Sequence, residues 1–186
     1  MARHWPGGVS DARQEESDLV KWLTLIRYGE ENIRMDCQYP VLLKKKEVGV
    51  LFLQGVSFIE PRAVRRGGYG GPSFRVTKGM SFRLGAFQAE SQEELREIDR
   101  GSIVLTTKRL LFAGAKRNVN IDLKKIVDIE YYQDGTALRR SGIERVQYFK
   151  GIDSVTVTFS VEGRTYRERL TGLILKYMIE GLVNQL

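Results

Sequence analysis

The chain has 186 residues, of which 42% are hydrophobic and 28% are charged, and its formal net charge at pH 7 is +7. This composition predicts one soluble globular domain, or one domain with an appended segment, that is large enough to bury a core. The longest apolar stretch, at 48–58, is interrupted by polar residues and glycines, so no transmembrane segment is expected.

The cysteine content and the N-terminus indicate a compartment. Cys37 is the only cysteine, which excludes an intramolecular disulfide and a cysteine-based zinc ribbon. It fits a reducing environment, where we expect Cys37 to be a small buried hydrophobic side chain. The start of the chain has no basic residues followed by an apolar core, so a secretory signal is not expected. The predicted location is the cytoplasm, either free or peripheral at the inner face of the membrane.

The first 39 residues divide into two parts. Residues 1–16 are polar and contain Pro6, Gly7 and Gly8, and we expect them to be disordered. Residues 17–39 form a predicted helical segment, because Ser17 and Asp18 can cap a helix with apolar residues at three- and four-residue spacing. Those apolar residues are Leu19, Val20, Trp22, Leu23, Leu25 and Ile26. Packing on the domain is favoured over self-association, since Trp22 and Leu25 would be unfavourable in water.

The segment from 48 to 98 mixes strand and turn signals. Residues 48–59 predict a strand with a bulge at Gly55. Residues 62–72 contain too many glycines for a regular element, and 73–84 predict a hairpin. The serine and acidic residues of 91–98 predict one or two helical turns.

The segment from Gly101 to Tyr132 gives the clearest pattern. Apolar residues alternate on both sides of the turn Thr106–Arg109, which is typical of two half-buried antiparallel strands. A third strand is expected around Val119 and Ile121, followed by a corner at 123–126 and a fourth strand at 127–131.

The remaining sequence predicts more strands and one helix. Turns at 134–135 and 141–142 precede strands at 145–149 and 155–161, and Glu162 with Gly163 predicts a further hairpin. A closing helix begins at Thr171. Its expected apolar side consists of Leu173, Ile174, Tyr177, Met178 and Leu182.

Three blocks of this sequence resemble the bacterial PH-like and GRAM-like domain family. They are PVLLKKKEVGVLF from Pro40, RRGGYGGPSFRVTKGMSFRLG from Arg65, and GSIVLTTKRLLFAG from Gly101, which continues through KKIVDIEYYQDG and QYFKGID. The resemblance implies a mainly β fold over 40–186: a PH/GRAM-like antiparallel barrel with an N-terminal helix and a C-terminal capping helix. It also implies a noncatalytic binding module, in which the hairpin at 155–166 is an insertion before the closing helix.

The positive charge is concentrated in two segments. Between Leu43 and Leu84 nine cations face only Glu47 and Glu60, and a second basic segment follows at 108–125. An asymmetric basic surface can attract phosphates, although a basic face can also serve solubility alone. The candidates for binding an anionic lipid headgroup are Lys44, Lys45, Lys46, Arg62, Arg65, Arg66, Arg75, Lys78 and Arg83.

The expected function is docking to anionic lipid headgroups or to a protein partner, and self-association stays open. The less favoured alternative is nucleic-acid binding through the basic segments 44–83 and 108–125. Its candidate stacking platforms are Phe58, Tyr69, Phe74 and Phe82.

Catalytic chemistry is not expected from this sequence. His4 is the only histidine and lies in the segment expected to be disordered, so a Ser-His-Asp or Cys-His arrangement is disfavoured. The glycines at 67–71 lack the lysine and the following helix of a P-loop, so a turn is the favoured interpretation, while the flanking Arg65, Arg66 and Arg75 leave anion binding open. The turn Thr106–Arg109 is likewise interpreted as structural. No catalytic residue, metal or cofactor is predicted.

Overall fold

The computed structural model describes residues 8–31, 33, 35, 37–63 and 93–186. Its helices are α1 (Gly8–Tyr28) and α2 (Gly172–Asn184). The strands are β1 (Gly49–Ala63), β2 (Glu93–Thr106), β3 (Arg109–Gly114), β4 (Asn118–Asp122), β5 (Ile126–Tyr131), β6 (Gly135–Arg140), β7 (Ile143–Lys150), β8 (Thr156–Val161) and β9 (Arg164–Arg169). Short 3-10 helices occur at Leu123–Lys125 and Ile152–Ser154. The expected fold class, mainly β with an N-terminal and a C-terminal helix, is confirmed.

Seven strands form one antiparallel sheet that curves back on itself. Its strand order is β4-β3-β2-β1-β7-β6-β5, so β4 and β5 are its two edges. These edge strands are joined only by Leu123–Lys125, a connection that can span at most about 14 Å. A hydrogen bond crosses the same gap, from Arg140 Nη1 of β6 to Asn120 O of β4 at 2.9 Å. The sheet therefore closes into a barrel-like shape.

A bulge in β1 makes this curvature possible. Gly55 has φ +73°, and the register with β2 shifts between Gln54 and Val56. Glycine adopts this backbone conformation without the steric cost that a Cβ would add. Beyond the bulge, β1 also pairs with β7 at Ser57–Ile59. The expected bulge is confirmed, and it lies where β1 begins to pair with strands on both sides.

Three phenylalanines fill the centre of the barrel. Phe58 lies 5.3 Å from Phe112 and 5.4 Å from Phe149 between ring centroids, and all three side chains are buried. The alternating strands β3 and β4 supply further inward side chains, as the sequence pattern predicts: Leu110, Phe112, Val119 and Ile121.

The closing helix α2 is capped as expected but turns a different face to the core. The Thr171 hydroxyl accepts a hydrogen bond from Ile174 N at 3.4 Å. Leu173 and Tyr177 are only half-buried, which corrects the expected apolar side. The buried apolar side chains are Ile174, Leu175, Met178, Ile179 and Leu182.

Helix α1 is longer than the sequence indicates. It begins at Gly8 rather than at Ser17, so the expectation of disorder is wrong for residues 8–16, while residues 1–7 lie outside the described part of the chain. Its packing on the domain is confirmed by Trp22, which is buried and stacks on Phe159 with ring centroids 4.2 Å apart. Leu25 is 36% exposed, contrary to expectation, because it lies outside this contact face.

Close approach of α1 and α2 depends on a glycine. A Cβ at Gly181 would overlap the carbonyl oxygen of Ile26, so any larger residue would push the helices apart. Side-chain hydrogen bonds also join these helix ends, from Asn184 Nδ2 to Arg27 O at 3.0 Å and from Gln185 Nε2 to Gly29 O at 2.6 Å.

The hairpin β8–β9 lies outside the seven-stranded sheet, as expected for an insertion. Its turn is at Glu162 and Gly163, which both have positive φ. The inner face packs on α1, where Phe159 lies between Trp22 and Tyr166. Tyr166 donates a 2.6 Å hydrogen bond to the buried carboxylate of Asp18, which fixes the hairpin to the helix.

Two further expectations are wrong. Residues 93–98 belong to β2 rather than to a helical turn, because β1 extends to Ala63 and supplies a pairing partner for each residue from Glu93 to Glu97. This pairing outweighs the local capping signal. Cys37 is exposed rather than buried. The expected hairpin at 73–84 lies outside the described residues.

Replacement of Trp22 tests the contribution of α1 to stability. Trp22→Ala removes a buried ring from the contact with Phe159, so we expect a loss of about 3–5 kcal/mol in the free energy of unfolding by urea titration. The matched control is Val20→Ala on the same helix, where the side chain is 59% exposed and the expected change is about 0.5 kcal/mol or less. Equal losses in the two variants would contradict this role for α1.

Candidate functional site

The turn between β2 and β3 is fixed by a buried ion pair. Arg109 donates from Nε to Glu47 Oε1 at 2.7 Å and from Nη2 to Glu47 Oε2 at 3.1 Å. Thr106 Oγ1 donates to the same carboxylate at 2.7 Å, and the backbone N–H of Lys44 donates to it at 2.6 Å. The Glu47 side chain is fully buried and that of Arg109 is 13% exposed. The polar groups of this turn therefore bind within the protein, as the structural interpretation predicts.

These contacts keep Glu47 ionised. Burial by itself would raise the pKa of the Glu47 carboxyl, but the hydrogen bonds from Arg109, Lys44 and Thr106 outweigh it and lower the pKa to about 2. The charge of Arg109 is neutralised by the same contact. Arg109 therefore holds the turn together and adds no net charge to the surface.

The ion pair also orders the lysine turn, Lys44–Lys46, ahead of β1. Glu47 N donates to Lys44 O at 2.9 Å, and Lys46 adopts φ 58°. Lys108 Nζ donates to Lys45 O at 2.8 Å, which joins this turn to the β2–β3 turn. Lysines that are distant in sequence are thus held side by side.

The lysine turn borders a groove of about 500 Å³ that we call the basic groove. It is lined by Lys44, Lys108, Arg109, Asn120, Asp122, Lys124, Lys125, Arg140 and Leu186. The 3-10 helix between β4 and β5 supplies two lysines, and Asp122 caps that helix by accepting from Lys124 N at 3.0 Å. Arg140 enters from β6 because the closed sheet places β6 beside β4.

Most of the charge in the basic groove is unpaired. Among the described residues, no Asp or Glu carboxylate lies within 4.0 Å of the charged atoms of Lys44, Lys108, Lys124, Lys125 or Arg140. Lys124 Nζ contacts Leu186 O at 3.3 Å. The Nε atom of Arg140 is buried and has no hydrogen-bond partner among the described residues.

The nine predicted anion-binding residues differ in their position relative to the basic groove. Lys44 lines the basic groove, and Lys45 and Lys46 lie in the same turn. Arg62 lies near the far end of β1 and is paired with Glu60 at 3.1 Å, so it is not part of this groove. The other five, Arg65, Arg66, Arg75, Lys78 and Arg83, lie outside the described residues, and their role stays a prediction.

The sequence missed one cation of the groove. Lys108, Lys124 and Lys125 belong to the second basic segment noted in the sequence, but Arg140 was not among the candidates. No local signal marks Arg140, because its place depends on the contact between β6 and β4. The stacking role proposed for Phe58 is wrong, since that side chain is buried in the barrel. Tyr69, Phe74 and Phe82 lie outside the described residues.

A second groove, of about 400 Å³, lies between β5 and the helices, and we call it the β5 groove. It is lined by Arg27, Tyr28, Ile126, Val127, Asp128, Ile129, Lys176, Ile179, Glu180, Val183 and Asn184. Among the described strands, β5 pairs only with β6, so its other edge carries no strand. Val127 is 72% exposed on this edge strand.

Two classes of site are not found in the described part of the chain. Within it, no group of three or more His, Cys, Asp or Glu side chains is placed to hold a metal ion. None of its helices combines the length and apolar character that crossing a bilayer requires.

Comparison with known proteins gives one structural likeness. No family model matches the chain, and no curated protein matches it in sequence. The solved Vps36 N-terminal PH domain is similar to it with a TM-score of 0.42 and 12% identity, over 83% of this chain and 93% of that chain. A likeness at this level assigns no ligand and no residue role to this chain.

Acid titration tests the buried ion pair. Because the pKa of Glu47 is about 2 when folded and ordinary when unfolded, its contribution to stability is complete above about pH 4.5 and disappears as the pH falls towards 2. Glu47→Ala leaves the Arg109 charge buried without its partner, so we expect the free energy of unfolding at pH 7 to fall by about 3–5 kcal/mol. Because the variant lacks the Glu47 carboxyl, its stability should decrease less than that of wild type between pH 4.5 and pH 2.

Urea titrations at several pH values measure both effects. Glu144→Ala, which removes an exposed carboxylate from β7, is the control and should retain the wild-type pH profile. A Glu47→Ala protein as stable at pH 7 as wild type would contradict the assigned role of the pair.

Proposed function

We propose that this protein is a noncatalytic binding module that docks to anionic lipid headgroups through the basic groove. The observation that supports the proposal most directly is the convergence of Lys44, Lys108, Lys124, Lys125 and Arg140 without carboxylate partners among the described residues. Cations on the wall of a concave, low-dielectric surface reinforce each other's potential. A peripheral position at the inner face of the membrane follows from this function.

The expected strength of docking is moderate. Each lysine or arginine near an anionic membrane contributes about 1 kcal/mol, so five cations supply roughly 5 kcal/mol before any cost of immobilisation. The attraction is screened over about 10 Å at 0.1 M salt. Docking through this groove should therefore be reversible and sensitive to salt.

The same cations would attract the phosphates of nucleic acid, but the structure gives that alternative less support. Nonspecific binding of single strands combines a basic groove with aromatic platforms on which bases stack. Phe58, one of the predicted platforms, is buried in the core, and none of the described residues that line the basic groove is aromatic. Lipid headgroups need no such platform.

Charge reversal in the groove tests the proposal. We expect Lys124→Glu/Lys125→Glu to weaken co-sedimentation with vesicles of equal parts phosphatidylserine and phosphatidylcholine by about thirtyfold or more, because at least two favourable charges are lost. Arg167→Glu/Arg169→Glu on β9 makes the same change of charge on exposed residues away from the groove, and should bind nearly as wild type.

Further arms of the same experiment separate the alternatives. Phosphatidylcholine vesicles should bind none of the proteins, and duplex DNA at matched salt should compete poorly. The Arg65→Glu/Arg66→Glu variant tests two of the predicted anion-binding residues that lie outside the described part of the chain. Docking through the basic groove is wrong if the wild-type protein does not bind anionic vesicles at low salt. It is also wrong if Lys124→Glu/Lys125→Glu and Arg167→Glu/Arg169→Glu bind these vesicles equally well.

The β5 groove supports a second candidate function, the binding of an extended peptide from a protein partner. An edge strand without a neighbour offers backbone hydrogen bonds to an added strand, and the adjacent groove can hold its side chains. The exposed Val127 would contact such a peptide.

Peptide selection tests this second candidate. Peptides selected on the wild-type protein from a random library should bind Val127→Lys at least about tenfold more weakly, since an edge lysine opposes strand addition. Val20→Lys makes the same change at another exposed valine, on α1, and this variant should bind them as wild type. Equal binding to the two variants would place the peptide elsewhere and refute this candidate.

A further inference from the structure

The segment ahead of β1 exposes two adjacent leucines beside the basic groove. Leu42 is 93% exposed and Leu43 is 42% exposed. Single exposed apolar residues are common on protein surfaces and need no explanation. These two are different, because they directly precede the three lysines of the lysine turn.

The position of the leucines is fixed by the ion pair described above. Arg109 Nη2 donates to Leu42 O at 2.9 Å while the same guanidinium binds Glu47. On the N-terminal side, Val41 N donates to Tyr39 O at 2.8 Å. Both leucines are therefore carried by backbone that is already ordered, so burying them elsewhere would cost little loop entropy.

Charge complementarity indicates which kind of surface these leucines meet. Lys44, Lys45 and Lys46 follow them immediately, and Lys108 is bound to the same turn through Lys45 O. An apolar tip next to several cations matches an anionic bilayer, where phosphates lie at the surface and acyl chains lie beneath. Lysine side chains can keep their charge among the headgroups while their aliphatic stems lie deeper.

We infer that Leu42 and Leu43 insert into the acyl region of the anionic membrane to which the basic groove docks. This inference rests on the proposed function and adds to it the residues that penetrate the bilayer. Lipid charge brings the protein to the surface, and burial of the two leucines holds it there. Docking would then depend partly on lipid packing and would persist in part at salt concentrations that screen the lysines.

Serine substitutions measure the contribution of the leucines. With vesicles of equal parts phosphatidylserine and phosphatidylcholine, Leu42→Ser/Leu43→Ser should bind about tenfold or more weakly than wild type, because two apolar side chains no longer leave water. Val20→Ser is the control: its side chain is 59% exposed but lies on α1, outside both grooves, and its binding should stay within about twofold of wild type.

A fluorescent probe reports insertion directly. Cys37 is exposed, so the probe protein carries Cys37→Ser together with Leu42→Cys labelled with an environment-sensitive dye. Anionic vesicles should shift its emission to shorter wavelength, and quenchers attached to the acyl chains should reduce it. The same label at Val20→Cys on α1, in the same Cys37→Ser background, should show neither effect.

The outcomes separate this inference from the function on which it rests. If the leucine variant binds as wild type and the dye at position 42 stays in water, while Lys124→Glu/Lys125→Glu binds poorly, insertion is wrong and headgroup docking stands. If wild type does not bind anionic vesicles at low salt, both are wrong. If binding depends on the leucines but is as strong on phosphatidylcholine vesicles as on anionic vesicles, the basic groove is not the docking surface. The inference in this form then also fails.

Discussion

The carboxylate of Glu47 is buried beneath the turn that joins β2 and β3, where Arg109, Thr106 and the backbone of Lys44 all donate to it. A buried charge is tolerable only when its partners are fixed, so this contact determines the path of the chain before β1. The lysine turn, the basic groove and the exposed Leu42 all occupy positions that follow from it. Because the Glu47 carboxylate is bound by the Arg109 guanidinium, it does not neutralise the surrounding lysines.

Closure of the sheet supplies the other half of the groove. The edge strands β4 and β5 are joined by only three residues, so the sheet must bring Asn120 of β4 close to Arg140 of β6. The two lysines of the connecting 3-10 helix then line the same groove as Lys44 and Lys108. The barrel closes through this short connection and not through pairing of β4 with β5. Among the described strands, none therefore pairs with the edge of β5 beside α2.

The helices and the β8–β9 hairpin serve a different part of the molecule. Trp22, Phe159 and Tyr166 form one stack that joins α1 to the hairpin, and Gly181 allows α1 and α2 to touch. These contacts bury large apolar side chains, which is the main source of stability in a domain of this size. The lysines of the basic groove make no comparable demand on apolar packing, so they can be changed with less effect on the fold than the residues of the stack.

The sequence by itself determined the local elements. Alternating apolar residues and turn dipeptides located β3, β4, β5 and the β8–β9 hairpin, because a half-buried strand leaves a period of two in its own residues. It misjudged residues 93–98, where pairing with β1 overrides the local capping signal, and it placed the start of α1 at Ser17 instead of Gly8. Only the tertiary structure decided that Arg109 is neutralised by Glu47 and that Arg140 joins Lys44 and Lys124. Electrostatic contacts depend on distance in space, and no periodicity along the chain records which charges meet.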